Sequence, residues 1–298
     1  MQRNLIAIFI SLFISVFIFS GCAFISGLGG HTYEADTAYN NKQYDEAYEM
    51  YYDYIESRKS RGRDIEPEIY EKAGISAHKL DKNSEAIEFL SLANQNSVLS
   101  AEGFLALAKS YREIDNLTLE IRNLEAYLNN YPDEPDFDEV QIRYFETLVE
   151  GRNWHEAYEL WDELGKDRFE NEKMLENYLI VNRYLEKDAS ATGIAKKILE
   201  INNENIVALD WLAKNYYYQA LNRYNYEMQA YERNRTHRQY AQLREAWPVI
   251  HADYRTSRDY FMKLYEIEPK GEYARFLANI YERLNDDVKA RYYRQRIN

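Results

Sequence analysis

Residues 254–290, YRTSRDYFMKLYEIEPKGEYARFLANIYERLNDDVKA, read as two amphipathic helices separated by Pro269-Lys270-Gly271. On the first, Tyr254, Ser257, Phe261 and Leu264 recur every three or four residues and so share a face; on the second, Leu277, Ala278 and Tyr281 do the same. Pro269 marks the end of the first helix, because proline lacks the backbone donor a helix interior needs. Neither helix can bury its apolar stripe alone, so the stretch predicts a helical hairpin that packs against like neighbours.

The same register runs back through the chain. The small residue of each second helix falls at Ala47, Ala86, Glu120, Ala157, Ala191, Ser257 and Ala290, at intervals of 39, 34, 37, 34, 66 and 33 residues. First helices carry a complementary small residue at Ala35, Gly74, Ala108, Ala213 and Ala278. Phe145 and Leu179 are large at that position, so the fourth and fifth hairpins are expected to splay, and Glu120 departs likewise in the third. Extra residues fall where breakers are, at 62–67 and 135–137, and Pro132 and Pro269 each stand twelve residues after the small position.

This order of small residue, aromatic, Pro and small residue resembles the tetratricopeptide repeat, whose period is about 34 residues. The resemblance covers nearly all of residues 32–298 and implies an all-α, right-handed α-solenoid of about seven helical hairpins. Tyr44, Tyr51, Leu90, Leu124, Trp154, Trp161, Ile198 and Phe261 are its expected continuous core, and Arg294 suits a terminal hairpin that faces water.

The interval of 66 exceeds the period because of an insert in the sixth repeat, residues 219–252, QALNRYNYEMQAYERNRTHRQYAQLREAWPVIHA. With no Gly and one Pro, it reads as helix that lengthens both arms of the hairpin by about four turns, roughly 24 Å. Its tip is expected at Arg233 to His237 with Thr236 as N-cap, and Tyr224, Met228, Tyr231, Tyr240 and Leu243 as the seam. Pro248 either kinks the returning helix or opens a separate one. The insert either stiffens the array or serves as a docking arm.

Five Pro and eleven Gly in 298 residues favour long helices, and 29 Tyr favour aromatic packing between them. A net charge of −13 argues against nucleic-acid binding. The only cysteine, Cys22, follows a single positive charge at Arg3, a fifteen-residue apolar run from Leu5 to Phe19, and Ser20-Gly21. The segment resembles a bacterial lipoprotein signal, with residues 1–21 removed, Cys22 lipidated and 22–31 a flexible tether rich in Gly. Phe19 stands where that signal has Leu, Val or Ile. An uncleaved membrane anchor is the alternative, but the run is short of the roughly 20 residues a span needs. Ala23 is not the Asp that retains some lipoproteins at the inner membrane, so the resemblance implies the outer membrane, facing the periplasm.

The five histidines, His31, His78, His155, His237 and His251, form no metal-ligand spacing, and no nucleophile elbow, Gly-rich nucleotide loop or kinase signature is present. The expectation is therefore a chain that is no enzyme, with no cofactor, no metal and no small-molecule substrate. In tetratricopeptide proteins ligand-facing residues lie on the first helix of each hairpin. Carried onto this chain, that face selects Tyr39, Asn40, His78, Lys79, Lys109, Arg112, Arg183, Tyr184, Lys214, Tyr217 and Tyr218 as partner-binding residues. Enriched in Lys, Arg and Tyr, the face fits an acidic or C-terminal peptide segment. Glu139, Glu146 and Glu150 interrupt it, and the residues do not reproduce the family's carboxylate clamp. The resemblance thus implies a membrane-anchored protein–protein interaction adaptor of the cell envelope. The alternative is a structural subunit of an outer-membrane assembly or secretion complex.

Overall fold

The computed structural model describes residues 30–165 and 170–297. The expected signal peptide, Cys22 and most of the tether lie outside the described residues. Among the described residues the chain forms fourteen α-helices and no strand, in the order α1 (Gly30–Asn40), α2 (Tyr44–Ser60), α3 (Pro67–Lys79), α4 (Asn83–Asn96), α5 (Ala101–Glu113), α6 (Leu117–Asn130), α7 (Phe137–Glu150), α8 (Trp154–Leu160), α9 (Glu172–Tyr184), α10 (Asp188–Ile201), α11 (Ile206–Arg233), α12 (His237–Ile267), α13 (Gly271–Arg283) and α14 (Asp287–Arg294). Helix α1 starts at Gly30, two residues inside the expected tether of 22–31.

Consecutive helices pack as antiparallel pairs, and the turn within a pair is built the same way each time. Lys42, Asp81, Asp115, Arg152, Glu186 and Asn285 have φ between 55° and 61°, the left-handed region. Each stands five residues before the small position of its pair, at Ala47, Ala86, Glu120, Ala157, Ala191 and Ala290. A left-handed residue ends a helix because its amide turns back onto carbonyls of the last turn: Asp81 N bonds His78 O at 3.1 Å and Asn285 N bonds Glu282 O at 3.1 Å. The α11/α12 pair is the exception, and there the helices run on.

Small residues let the helices of a pair approach. Ala35, Ala108, Ala213 and Ala278 are at most 1% exposed, as are Ala47, Ala86, Ala157, Ala191 and Ala290. A Cβ on Gly74 would lie 2.6 Å from Leu90 Cγ across the α3/α4 crossing. In the α11/α12 pair the buried Ser257 hydroxyl donates to the carbonyl of Ala213 at 2.7 Å, so the two small positions meet directly. Where the position is large, an aromatic partner accommodates it: the ring of Phe145 lies 5.4 Å from that of Trp161, and α8 is only seven residues long. Burying one such side chain contributes about 1.5–3 kcal/mol, and the hairpins sum these terms along the array.

The expected continuous core is instead three clusters. One spans Ala35 to Phe89, a second Ile75 to Leu212 and a third Leu209 to Ala290. Half-buried Tyr39 and Tyr70 bridge the first two, and Leu199 and Tyr260 bridge the second and third. Tyr44 and Trp154, expected in the core, are only half-buried, each being the first residue of a second helix.

Helices α11 and α12 are 28 and 31 residues long, against 13 residues for α13. Fifteen extra residues at 1.5 Å each extend α11 by about 22 Å. The turn is at residues 234–236, and the Thr236 hydroxyl accepts from the amide of Gln239 at 3.2 Å. Pro248 lies inside the continuous α12, so no separate helix begins there. The seam joins Tyr231 to Tyr240, whose ring centroids are 5.9 Å apart, and Tyr224 to Trp247, at 5.8 Å. Trp247 was not among the expected seam residues.

Candidate functional site

First helices of successive pairs touch one another along one face: α3 meets α5, α7 meets α9, and α9 meets α11. Side chains on this wall come from separate hairpins, and the polar ones tie the hairpins together. Glu102 on α5 accepts from the Tyr39 hydroxyl of α1 at 3.3 Å and lies 3.1 Å from Lys79 Nζ of α3. Asp36 on α1 accepts from Tyr51 on α2 at 2.6 Å and from Lys72 on α3 at 2.8 Å. Burial alone would raise the Asp36 carboxyl; the bonds from Lys72 and Tyr51 outweigh it and hold the group below its ordinary value.

Two adjoining clefts open over α5. One, of about 430 Å³, is lined by His78, Lys109, Arg112, Glu120, Glu139 and Arg143 among others. The other, of about 400 Å³, takes in His78, Lys79, Glu102, Lys109, Glu134 and Asp136. His78 stands at the junction, its Nδ1 3.0 Å from the Ser110 hydroxyl. Burial, then the charges of Lys79 and Lys109, lower its basicity below the ordinary histidine value. The Tyr39 hydroxyl is pushed up by burial and by Glu102.

Beneath the larger cleft is a buried carboxylate that sequence reading took only as a departure from pattern. Glu120 is 2% exposed and accepts from Arg143 Nε and Nη2 at 3.0 and 2.9 Å, from Arg112 at 3.3 Å and from Thr147 Oγ1 at 3.1 Å. Arg112 also holds Glu150 through two bonds of 2.5 and 3.1 Å, and that pairing raises the arginine further and lowers the glutamate. The signal for this network was a carboxylate where other hairpins carry Ala or Ser, with Arg112 on the paired helix and Arg143 on the next.

The predicted face therefore falls into three parts. Tyr39, His78, Lys79, Lys109 and Arg112 gather around α5, and Asn40 is exposed at the end of α1. On α9, the Arg183 guanidinium lies 5.1 Å from the Trp211 ring centroid, and Tyr184 stacks on Trp154 at 4.3 Å. On α11, Lys214 is paired with Asp210 and Glu272 at 2.8 and 2.9 Å, Tyr217 packs on Tyr254 and Phe276, and Tyr218 is 47% exposed. Lys79, Arg112 and Lys214 are thus held by carboxylates of the fold itself, and the face is no bare cationic stripe. Among the described residues, Lys109 and Arg183 stand in no ion pair. Nor, among the described residues, is there a group of three His, Cys, Asp or Glu able to hold a metal, or a helix long and apolar enough to cross a membrane.

No family model matches the chain, and no curated protein matches it. Solved structures do. The C-terminal part of a TPR repeat-containing protein from Cytophaga hutchinsonii is 15% identical with a TM-score of 0.50, over 90% of this chain and 93% of that one. The fold is that of the tetratricopeptide-repeat proteins. A putative protein binding protein from Bacteroides ovatus is 17% identical over 63% of this chain and all of that one, with a TM-score of 0.47. YrrB, a TPR protein with an unusual peptide-binding site, is 15% identical over 60% of this chain and 89% of that one, with a TM-score of 0.46.

Proposed function

We propose that this protein is a non-catalytic adaptor, anchored to the outer membrane through lipid on Cys22, that holds a polypeptide partner in the periplasm along the wall of its first helices. The observation that carries the reading is the pair of adjoining clefts over α5, about 430 and 400 Å³, open to solvent and contributed by α3, α5, α6 and α7. Such a trough suits an extended segment that crosses several hairpins. Lys109, His78, Glu113, Glu134 and Glu139 line it with both signs of charge. The fitting partner segment is therefore of mixed charge rather than uniformly acidic.

Attachment rests on the run from Leu5 to Phe19 and on Cys22, and two or three acyl chains would make it durable. A second reading, a permanent subunit of an outer-membrane assembly or secretion complex, is favoured by the arm of α11 and α12, which presents exposed Tyr226, Tyr240 and Trp247.

A photo-cross-linker at Lys109, with a second one at Tyr226, tests both in cells. A partner captured from Lys109, and lost on His78→Glu, supports the adaptor; capture from Tyr226 alone, in a complex that survives detergent, replaces it with the subunit. Labelled fatty acid should enter the wild type and not Cys22→Ala; labelling of neither sinks the anchor.

A further inference from the structure

A third cleft, of about 500 Å³, lies away from α5, where the base of the α11/α12 arm meets α13. Its walls are aromatic on the arm side: Tyr217 and Tyr224 from α11, Trp247, His251 and Tyr254 from α12. The rings of Tyr224 and Trp247 are 5.8 Å apart, and those of Trp247 and His251 5.3 Å. On the α13 side stand Asn279, Glu282 and Arg283, followed by Asn285.

Two donors in this cleft lack an acceptor. Tyr254 is 1% exposed, and its hydroxyl has no hydrogen-bond partner among the described residues. A buried hydroxyl without an acceptor is unfavourable, and an acceptor brought by a ligand would satisfy it. Tyr254 and Arg283 line the same cleft; burial pushes the hydroxyl up to about 12, and the charge of Arg283 draws it down. Arg283 spreads over the Tyr224 ring, 4.6 Å from its centroid, and makes no ion pair among the described residues. The adjacent Glu282 does not supply one, since it is engaged by Arg294. This differs from the α5 clefts, where Lys79 and Arg112 are already held by carboxylates.

We propose that this cleft takes an acidic side chain standing beside an aromatic one in a partner polypeptide, the carboxylate between Arg283 and the Tyr254 hydroxyl and the ring against Tyr224 and Trp247. Charge complementarity selects the carboxylate, because a cation there would face Arg283. The aromatic wall selects the ring, through offset stacking and edge contacts. Tyr217, which belongs to the first-helix wall, also lines this cleft, so the wall and the cleft share a residue. The inference rests on the adaptor reading and adds a second, chemically defined subsite to it.

The test is calorimetric titration of the full chain with the capped peptide acetyl-Gly-Phe-Asp-Gly-amide, its Asn counterpart, and phenylacetate. The Asp peptide should bind saturably, and the Asn peptide about tenfold or more weaker, as expected when a charge-assisted bond is lost. Arg283→Gln should weaken the Asp peptide by a similar factor. Tyr254→Phe should weaken it about fivefold while leaving Tm unchanged or raised, because no bond within the chain is lost. A lowered Tm in Tyr254→Phe would mean that the hydroxyl has a partner in the fold, and the proposal falls. Phenylacetate binding as tightly as the peptide would assign the cleft to a free small acid and overturn the polypeptide assignment. If neither binds while cross-linking at Lys109 still captures a partner, this inference fails and the adaptor reading stands.

Discussion

Arg143 donates two hydrogen bonds, of 3.0 and 2.9 Å, to the carboxylate of Glu120, which occupies the register position that Ala or Ser holds in the other hairpins. The pair joins α6 to α7, and Arg112 completes it from α5, so one buried charge fastens two successive hairpins. Removing the carboxylate leaves two guanidinium groups facing each other over a cavity. For a buried ion pair that loss is about 3–5 kcal/mol, and since both arginines are about a third exposed a discounted value of about 2–3 kcal/mol is expected of Glu120→Ala. Urea denaturation measures it; a change within about 0.5 kcal/mol would show the network to be ornamental. Glu120→Gln should recover part of the loss, because the amide oxygen still accepts from Arg143.

Gly74 shows how tightly a pair is packed. In isolation Gly→Ala inside a helix should stabilise by about 0.8–1 kcal/mol. Here the new Cβ would lie 2.6 Å from Leu90 Cγ and 3.0 Å from Leu90 N, so α3 and α4 must separate. Overpacking of this kind costs about 1–3 kcal/mol, and the net expectation for Gly74→Ala is a destabilisation of about 1 kcal/mol. Gly74→Ala with Leu90→Ala should recover little, since it exchanges the clash for a cavity. A raised Tm in the single variant would disprove the close crossing.

Ser257 and Ala213 were both legible as small positions, and they meet in the structure through a hydrogen bond. The long arm and its Thr236 cap were legible too, because spacing and local chemistry carry them. What was not legible depends on partners far along the chain. Lys79, Arg112 and Lys214 looked like a ligand-facing stripe, but Glu102, Glu150 and Glu272, each on the first helix of the following pair, neutralise them. The turn residues were silent for another reason: Lys42, Asp81, Asp115, Arg152 and Glu186 adopt positive φ without being Gly, since helix packing imposes the turn. The cleft at Arg283 needed three helices to be placed together before its unpartnered hydroxyl had a meaning.

His78 gives the array a pH dependence with a definite sign. Burial and the charges of Lys79 and Lys109 favour its neutral form, so its folded-state value is below the ordinary 6.5. As pH falls through the ordinary value the unfolded chain takes up the proton before the folded one does. The contribution is full above 6.5 and declines below it, with a slope of at most about 1.4 kcal/mol per pH unit for one site. His251, lowered by burial and Arg255, acts in the same direction. Unfolding free energies at pH 8 and pH 5.5 should differ less in His78→Gln than in the wild type, and least when His251→Gln is added. Equal differences in all three chains would remove histidine from the account.

The arm tests how independent a projecting element is of the array that carries it. Between Leu221 and Val249 only Leu243, 6% exposed, is buried, whereas Ala220 and Ile250 at the base belong to the core. Replacing residues 223–244 by a short Gly-Ser linker therefore removes the Tyr231–Tyr240 and Tyr224–Trp247 contacts and, of the buried residues, only Leu243. The expected fall in Tm is a few degrees, about 1 kcal/mol or less, with the rest of the array unfolding as before. Native-state hydrogen exchange offers a second view: amides of 223–244 should exchange well ahead of those in α13, because opening the arm exposes little of the core. Exchange of both at one rate would make the arm part of the cooperative unit, and a loss of several kcal/mol on deletion would make it a brace for the sixth and seventh pairs.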